Sequence, residues 1–138
     1  MKISRTLALF LFLVPLSSLF AQSELKIEIL NLRNSKGVVI VDLLDKDEKT
    51  VEVKTCLISD KKCSVIFKGL PNDQYAVKYI HDENEDKELD TNLIGMPKEG
   101  FGFSNDAFGK FGPKDFSEWL FTVSGDTEIK MTTMYLKK

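Results

Sequence analysis

Apolar and polar residues alternate one by one in short runs along most of this chain. In a β-strand successive side chains point to opposite faces, so this alternation is typical of a strand with one buried face. Turn-forming clusters such as Asn34–Gly37, Gly69–Asp73 and Gly125–Asp126 separate the runs. The predicted strands are 25–32, 37–44, 51–58, 63–68, 74–80, 119–124 and 127–136.

Seven short strands with turn signals between them predict an all-β fold. The expected architecture is an antiparallel β-sandwich of immunoglobulin-like or transthyretin-like type, formed by residues 22–138 as a single domain. One long segment, residues 81–118, interrupts the strand pattern. It contains five phenylalanines, and this apolar content predicts an ordered loop packed on the body of the domain.

The N-terminus has the pattern of a secretory signal peptide. A basic start is followed by the apolar run 7–16 and by small residues up to Ala21, which predicts a signal peptide over residues 1–21. The protein is therefore expected to be exported, to the periplasm or beyond the cell. No later segment is apolar enough to span a membrane.

The charge of the mature chain argues against nucleic acid as a partner. Removing Lys2 and Arg5 with the signal peptide leaves 17 basic residues against 21 acidic ones, a net charge of about −4. Proteins that bind nucleic acid need a basic face.

Two cysteines, Cys56 and Cys63, are separated by six residues. A hairpin turning at Ser59–Asp60 would place them opposite each other, at a separation that a disulfide can span. An exported protein meets an oxidising environment, so we predict a structural disulfide. A metal or redox role is the alternative, but this spacing matches no zinc or thioredoxin motif.

The stretch HDENEDKELDTN, residues 81–92, carries oxygen-bearing side chains at every second position. Asp-x-Asn-x-Asp opens the calcium loops of EF-hand type, and calcium takes six to eight oxygen ligands. Lys87 stands where such loops have glycine, and Leu93 where they have glutamate, for which Glu99 is a candidate substitute. The alternative interpretation is a solvated acidic turn. The predicted Ca²⁺ ligands are Asp82, Asn84, Asp86, Glu88 and Asp90.

A glycine-rich aromatic stretch, GFGFSND at 100–106, lies within a second candidate site. Phe101, Phe103 and Asn105 form a candidate ligand surface for a glycan or peptide within residues 96–113. The alternative is that Gly100 and Gly102 permit tight turns while the phenylalanines pack inward. The stretch lacks the lysine and the strand–loop–helix frame of a phosphate-binding loop.

Three blocks of residues carry a resemblance to a known family. The motifs are FKGLP followed by YAV, then HD-x-N with LDTN, then G-x-P-x-EGFGFSN, all between Phe67 and Asn105. They resemble the secreted bacterial proteins of domain-of-unknown-function family 2141. Two glycines that are usual in that family are absent here. Asp73 or Gln74 stands at the position of the first, and Lys87 stands at the position of the second. The resemblance implies an exported β-sandwich domain and no established activity.

The sequence favours a non-enzymatic exported module with a weak calcium loop at 82–90. A glycan- or peptide-binding adhesion domain using 96–113 is the second hypothesis. An enzyme has the least support, because the chain has a single histidine and no nucleophile-elbow motif.

Overall fold

A computed structural model describes residues 22–136, so the predicted signal peptide at 1–21 lies outside the described residues. The fold is all-β, as predicted, with two short 3-10 turns at Ser104–Asp106 and Phe116–Glu118. Within residues 22–136 no helix has the length and apolar character needed to cross a membrane. The strands are β1 Ser23–Leu30, β2 Val38–Asp45, β3 Thr50–Leu57, β4 Cys63–Leu70, β5 Asp73–Asp82, β6 Gly100–Phe103, β7 Phe108–Gly109, β8 Gly112–Pro113, β9 Phe121–Val123 and β10 Thr127–Thr132.

All seven predicted strands form, and they correspond to β1–β5, β9 and β10. The long segment 81–118 is ordered, as expected, but it is not a single loop. It contributes the end of β5, the short strand β6 and the small β7–β8 hairpin.

Two main sheets make up the domain. The first has the order β10-β1-β4, and the second has the order β3-β2-β5-β6, with β9 also pairing with β5. The sheets are antiparallel, as predicted, except for one pair: β1 and β10 run parallel, with Ile27 beside Ile129. A parallel pair needs a long connection, and here most of the chain lies between the two strands.

The inward-facing residues of both sheets form one hydrophobic core in a sandwich-like arrangement. In β1 the alternation places Leu25, Ile27 and Ile29 fully inside, at 0% exposure. Beside them in the same sheet lies Phe67 of β4, which pairs with Leu25 and is also at 0% exposure. Burying each such side chain stabilises the fold by about 1.5–3 kcal/mol.

The chain crosses between the two sheets at its C-terminal end. Thr133 continues the contact of β10 with β1, donating its backbone amide to Leu30 O, and Met134 then pairs with Phe101 of β6. Gly100 and Gly102 lie in β6, not in the tight turns expected of them. A Cβ on Gly102 would come within 2.5 Å of the Tyr79 ring, so the glycine lets the strand pack directly on that ring.

The predicted hairpin between Cys56 and Cys63 is wrong. β3 belongs to the second sheet and β4 to the first, so the two cysteines face each other across the core and not along one hairpin. Ser59 and Lys62 do form a tight turn between the sheets. Both cysteines are buried free thiols here, and the disulfide stays a prediction.

Candidate functional site

The acidic loop begins at the end of β5, where Asp82 is fully buried. Its carboxylate lies under the loop and accepts hydrogen bonds from two backbone amides. Asp86 N lies 3.2 Å from Oδ1, and Lys87 N lies 2.9 Å from Oδ2. Glu85 and Lys87 adopt left-handed conformations, with φ of 62° and 68°. The chain therefore bends at position 87, where a calcium loop would have glycine.

A second buried carboxylate closes the loop from the other side. Glu99 is only 4% exposed. Its Oε1 accepts from Glu83 N at 2.8 Å, and its Oε2 accepts from Asp90 N at 3.1 Å. Both oxygens thus accept from the backbone, so Glu99 holds the loop, and its role as a substitute for the twelfth ligand stays a prediction. Leu93, at that twelfth position, is fully exposed on a tight turn.

Three of the predicted ligand side chains converge at the loop surface. Asn84 Nδ2 donates to Asp86 Oδ2 at 2.8 Å and to Asp90 Oδ2 at 3.3 Å. No three carboxylate, thiol or imidazole groups between residues 22 and 136 come close enough to hold a metal by themselves. A cation at this point would therefore depend on the Asn84 amide as well as on the two carboxylates.

The other two predicted ligands lie apart from this cluster. Asp82 is fully buried, and each of its carboxylate oxygens accepts a hydrogen bond from one backbone amide of the loop. The side chain of Glu88 is exposed, while its amide donates to Asp86 Oδ1 at 2.9 Å. In a calcium loop its position contributes a backbone carbonyl and not a side chain.

His81, beside the loop, has a structural role. It is fully buried, with Nε2 at 2.8 Å from Lys36 O and Nδ1 at 2.7 Å from the Tyr135 hydroxyl. A carbonyl can only accept, so Nε2 carries the proton and Nδ1 accepts from Tyr135. The Tyr135 oxygen in turn accepts from Arg33 N at 3.0 Å.

Arg33 and Glu83 form an ion pair at the edge of the loop. Burial alone would raise the pKa of Glu83, but hydrogen bonds from Asn34 and Arg33 hold that pKa below its usual value. Asn34 Nδ2 lies 2.8 Å from Glu83 Oε2, and Arg33 Nη2 also reaches Lys98 O at 3.0 Å. These contacts fasten Glu83, at the start of the acidic loop, and the backbone at Lys98 to the β1–β2 connection.

An open apolar groove lies beside the loop, on the outer face of the second sheet. One cavity of about 370 Å³ is lined chiefly by Ile40, Val53, Ile80 and the two phenylalanines of β6. An adjoining cavity of about 480 Å³ extends between the turn at 95–97 and the β7–β8 hairpin. Leu89, Phe101 and Phe103 line both cavities.

The aromatic residues of this groove form a connected cluster. Phe103 packs on Trp119 with ring centroids 4.4 Å apart, and Phe101 packs on Phe108 at 5.1 Å. Phe111, at the tip of the hairpin, is 97% exposed. Asn105 lines neither cavity, because its amide donates to the carbonyls of Glu118 and Leu120.

Residues 27–131 match the sequence profile of a family described as "Uncharacterized protein conserved in bacteria (DUF2141)". The chain belongs to this family. The match includes nearly the whole of both sheets, the acidic loop and most of the groove. The chain matches no curated protein and no solved structure, so the immunoglobulin-like or transthyretin-like type stays a prediction.

Two features of this DUF2141 protein are not indicated by its sequence patterns. The holding role of Glu99 depends on contacts with residues 9 and 16 positions away, and its one signal was its place in the G-x-P-x-E-G block. The groove wall formed by Ile40, Val53 and Ile80 brings together three strands. Their outward positions follow from alternation, but their adjacency follows only from the strand order.

Proposed function

We propose that this DUF2141 protein is an exported, non-enzymatic β-sandwich module whose acidic loop binds one calcium ion weakly. The observation that carries the proposal is the convergence of Asn84, Asp86 and Asp90 on one point of a loop held from below. Asp82 and Glu99 hold that loop through four backbone amides, so little ordering is needed when a cation binds.

The amide of Asn84 is the group that would change on binding. It now points Nδ2 at the two carboxylates. A half-turn of the amide would exchange this nitrogen for Oδ1, giving three oxygens around the same point, and would break the hydrogen bond that Oδ1 now accepts from Asp86 N at 3.2 Å. Calcium takes six to eight oxygens, so carbonyls and water would complete the shell. Few charged ligands and a neighbouring Lys87 are consistent with a Kd of about 10⁻⁴–10⁻³ M, as in extracellular modules.

The absence of enzymatic activity is proposed from the state of the one histidine. Both ring nitrogens of His81 are hydrogen-bonded, and the ring is 0% exposed, so it is not available as a general base.

Export is proposed from the signal-peptide pattern of residues 1–21. Mass determination of the protein made by an exporting bacterial host tests this, since cleavage would remove about 21 residues.

Calorimetry and thermal unfolding of the chelator-treated protein test calcium binding. We expect binding heat, and stabilisation of about 1.4 kcal/mol when calcium is tenfold above Kd. The combined Asp86→Asn and Asp90→Asn variant should lose both responses. Asp47→Asn, at an exposed carboxylate in the β2–β3 turn, is the matched control and should keep them. No heat and no shift in melting temperature at 10 mM calcium would exclude the proposal.

The second candidate function is recognition of a glycan or peptide in the apolar groove. Its support is the open cavity of about 480 Å³ beside an aromatic cluster, with Phe111 almost fully exposed at its rim. Glycan and peptide arrays probed with the purified protein test it. Phe111→Ser should abolish any array signal, whereas Ile66→Ser, on the outer side of the other sheet, should not. An array with no signal above background counts against this function.

A further inference from the structure

Strand β3 forms one edge of the second sheet. We propose that two copies of this chain pair antiparallel through β3, about a two-fold axis at Val53, to give one continuous sheet. This inference does not depend on calcium binding or on the groove.

The outer edge of β3 is open. Within residues 22–136, β2 is the one strand that pairs with β3, so half of the backbone groups of β3 have no strand partner. The strand is eight residues long and exposes large apolar side chains: Val51 at 46%, Val53 at 53% and Leu57 at 80%. Long apolar edge strands of this kind pair readily with another strand.

The sequence of β3 is complementary to itself in one register. With Val53 opposite its own copy, Glu52 of each chain lies opposite Lys54 of the other, and Val51 lies opposite Thr55. In this register, side chains that lie opposite each other point to the same face of the continuous sheet. Antiparallel pairing about an axis perpendicular to the sheet requires this. Each opposite-charge pair across such a ladder stabilises it by about 0.2–1 kcal/mol, and the symmetry supplies two pairs.

An inward-pointing lysine on an edge strand usually prevents pairing, because it would be buried without a partner. Here Lys54 is already satisfied. Its Nζ donates to Ile66 O at 2.6 Å, lies 3.3 Å from Glu52 Oε1 and sits over the Phe67 ring. The irregularity in the β2–β3 ladder is opposite Leu43–Leu44, at Val51, so the central residues 52–54, which pair with one another in this register, remain regular. In the dimer each Lys54 would keep its bond to Ile66 O and would lie between the Glu52 of its own chain and the Glu52 of the copy, so self-pairing leaves no uncompensated charge.

Sedimentation velocity of the purified protein tests the proposal. We expect a concentration-dependent dimer between about 10 μM and 1 mM, as a small interface of two paired strands implies. Glu52→Lys places like charges opposite each other and should weaken dimerisation at least tenfold. Glu48→Lys, an exposed charge reversal in the turn just before β3, should leave it unchanged. A monomer at every concentration overturns the proposal.

A mixing experiment separates this register from other modes of association. Lys54→Glu should also dissociate the dimer, and an equimolar mixture of the Glu52→Lys and Lys54→Glu proteins should re-form one. If Lys54→Glu does not fold by circular dichroism, Val53→Cys replaces it, since a residue on the two-fold axis should cross-link to its own copy with oxidised glutathione. A dimer that survives Glu52→Lys, or failure of both the mixture and the cross-link, overturns the register.

Discussion

The backbone amide of Lys87 donates a hydrogen bond to the carboxylate of Asp82, with 2.9 Å between Lys87 N and Asp82 Oδ2. Asp82 is fully buried, whereas Lys87 is exposed and has a φ of 68°. The buried acid thus holds a non-glycine residue in the left-handed region. This conformation costs an L-residue with a Cβ about 1–2 kcal/mol.

Lys87→Gly should therefore stabilise the protein by about 1 kcal/mol, because glycine adopts this φ without steric strain. Urea denaturation in the presence of a chelator measures the change. Lys87→Ala is the control: it removes the same charge but keeps the Cβ, so it should not stabilise. An equal gain for both variants would assign the effect to charge and contradict the backbone explanation.

The strands were predictable because alternation is a local property of the sequence. Tyr75, Val77 and Tyr79 alternate with other residues along β5, and all three are buried. Strand pairing is not local. Ile27 lies beside Ile129 on one side and Val65 on the other, and nothing in the alternation of β1 indicates either neighbour or the parallel direction of one of them.

The spacing of the candidate site residues was predictable from the sequence, but the buried carboxylates that hold the loop were not. The spacing at 82–90 marks position 87 as a glycine position of calcium loops, and Lys87 has a positive φ there, while Asn84 is hydrogen-bonded to Asp86 and Asp90; the assignment of these residues to a cation stays a prediction. The spacing also assigned Asp82 to the cation, and that assignment stays a prediction; the burial of Asp82 and its bonds to two backbone amides were not indicated by the pattern. Strand β6 was missed because its glycines resemble turn residues. The rings of Tyr79 and Tyr135 that require those glycines come from distant parts of the chain.

Glu99→Gln should destabilise the protein by about 1–3 kcal/mol. The substitution places an NH₂ group against the backbone amide of Glu83 or Asp90, and a buried donor loses its acceptor. Hydrogen exchange of the Glu83 and Asp90 amides should accelerate more than exchange in β2. Glu48→Gln, at an exposed glutamate, should change the free energy of unfolding by no more than about 0.5 kcal/mol and should not accelerate exchange of these two amides. Unchanged exchange in the loop would show that Glu99 does not hold it.

The Glu83 carboxylate should make stability fall in acid. Its pKa is lowered in the folded state, so its contribution is present above its ordinary value of 4.5 and is lost as pH falls through the lower folded value. Glu83→Gln should thus be less stable than wild type at neutral pH but should lose less stability between about pH 7 and pH 3. Urea denaturation across this range, with chelator present, makes the comparison. Glu85→Gln, at an exposed acid of the same loop, should follow the wild-type pH profile.

Cys56 and Cys63 should form a disulfide between the sheets when the protein is incubated with oxidised glutathione. The thiols are buried and interact directly, which lowers the pKa of Cys56 and raises that of Cys63. They are not at bonding distance, so one strand must shift slightly. The two thiol hydrogens and two electrons pass to the oxidised glutathione, which leaves as two reduced molecules. Closing this short loop should stabilise the fold by about 2–3 kcal/mol.

Intact-mass spectrometry should show the loss of two hydrogens from the wild-type protein, reversed by dithiothreitol together with the gain in stability. Cys56→Ser removes one partner, so the oxidant should neither change its mass by two hydrogens nor stabilise it. Because Cys63 is only 5% exposed, addition of glutathione to it should be slow while the protein is folded. The contrary outcome is full alkylation of both cysteines when the oxidant-treated wild type is unfolded. That result would show that no disulfide formed and that Cys56 and Cys63 only pack against each other.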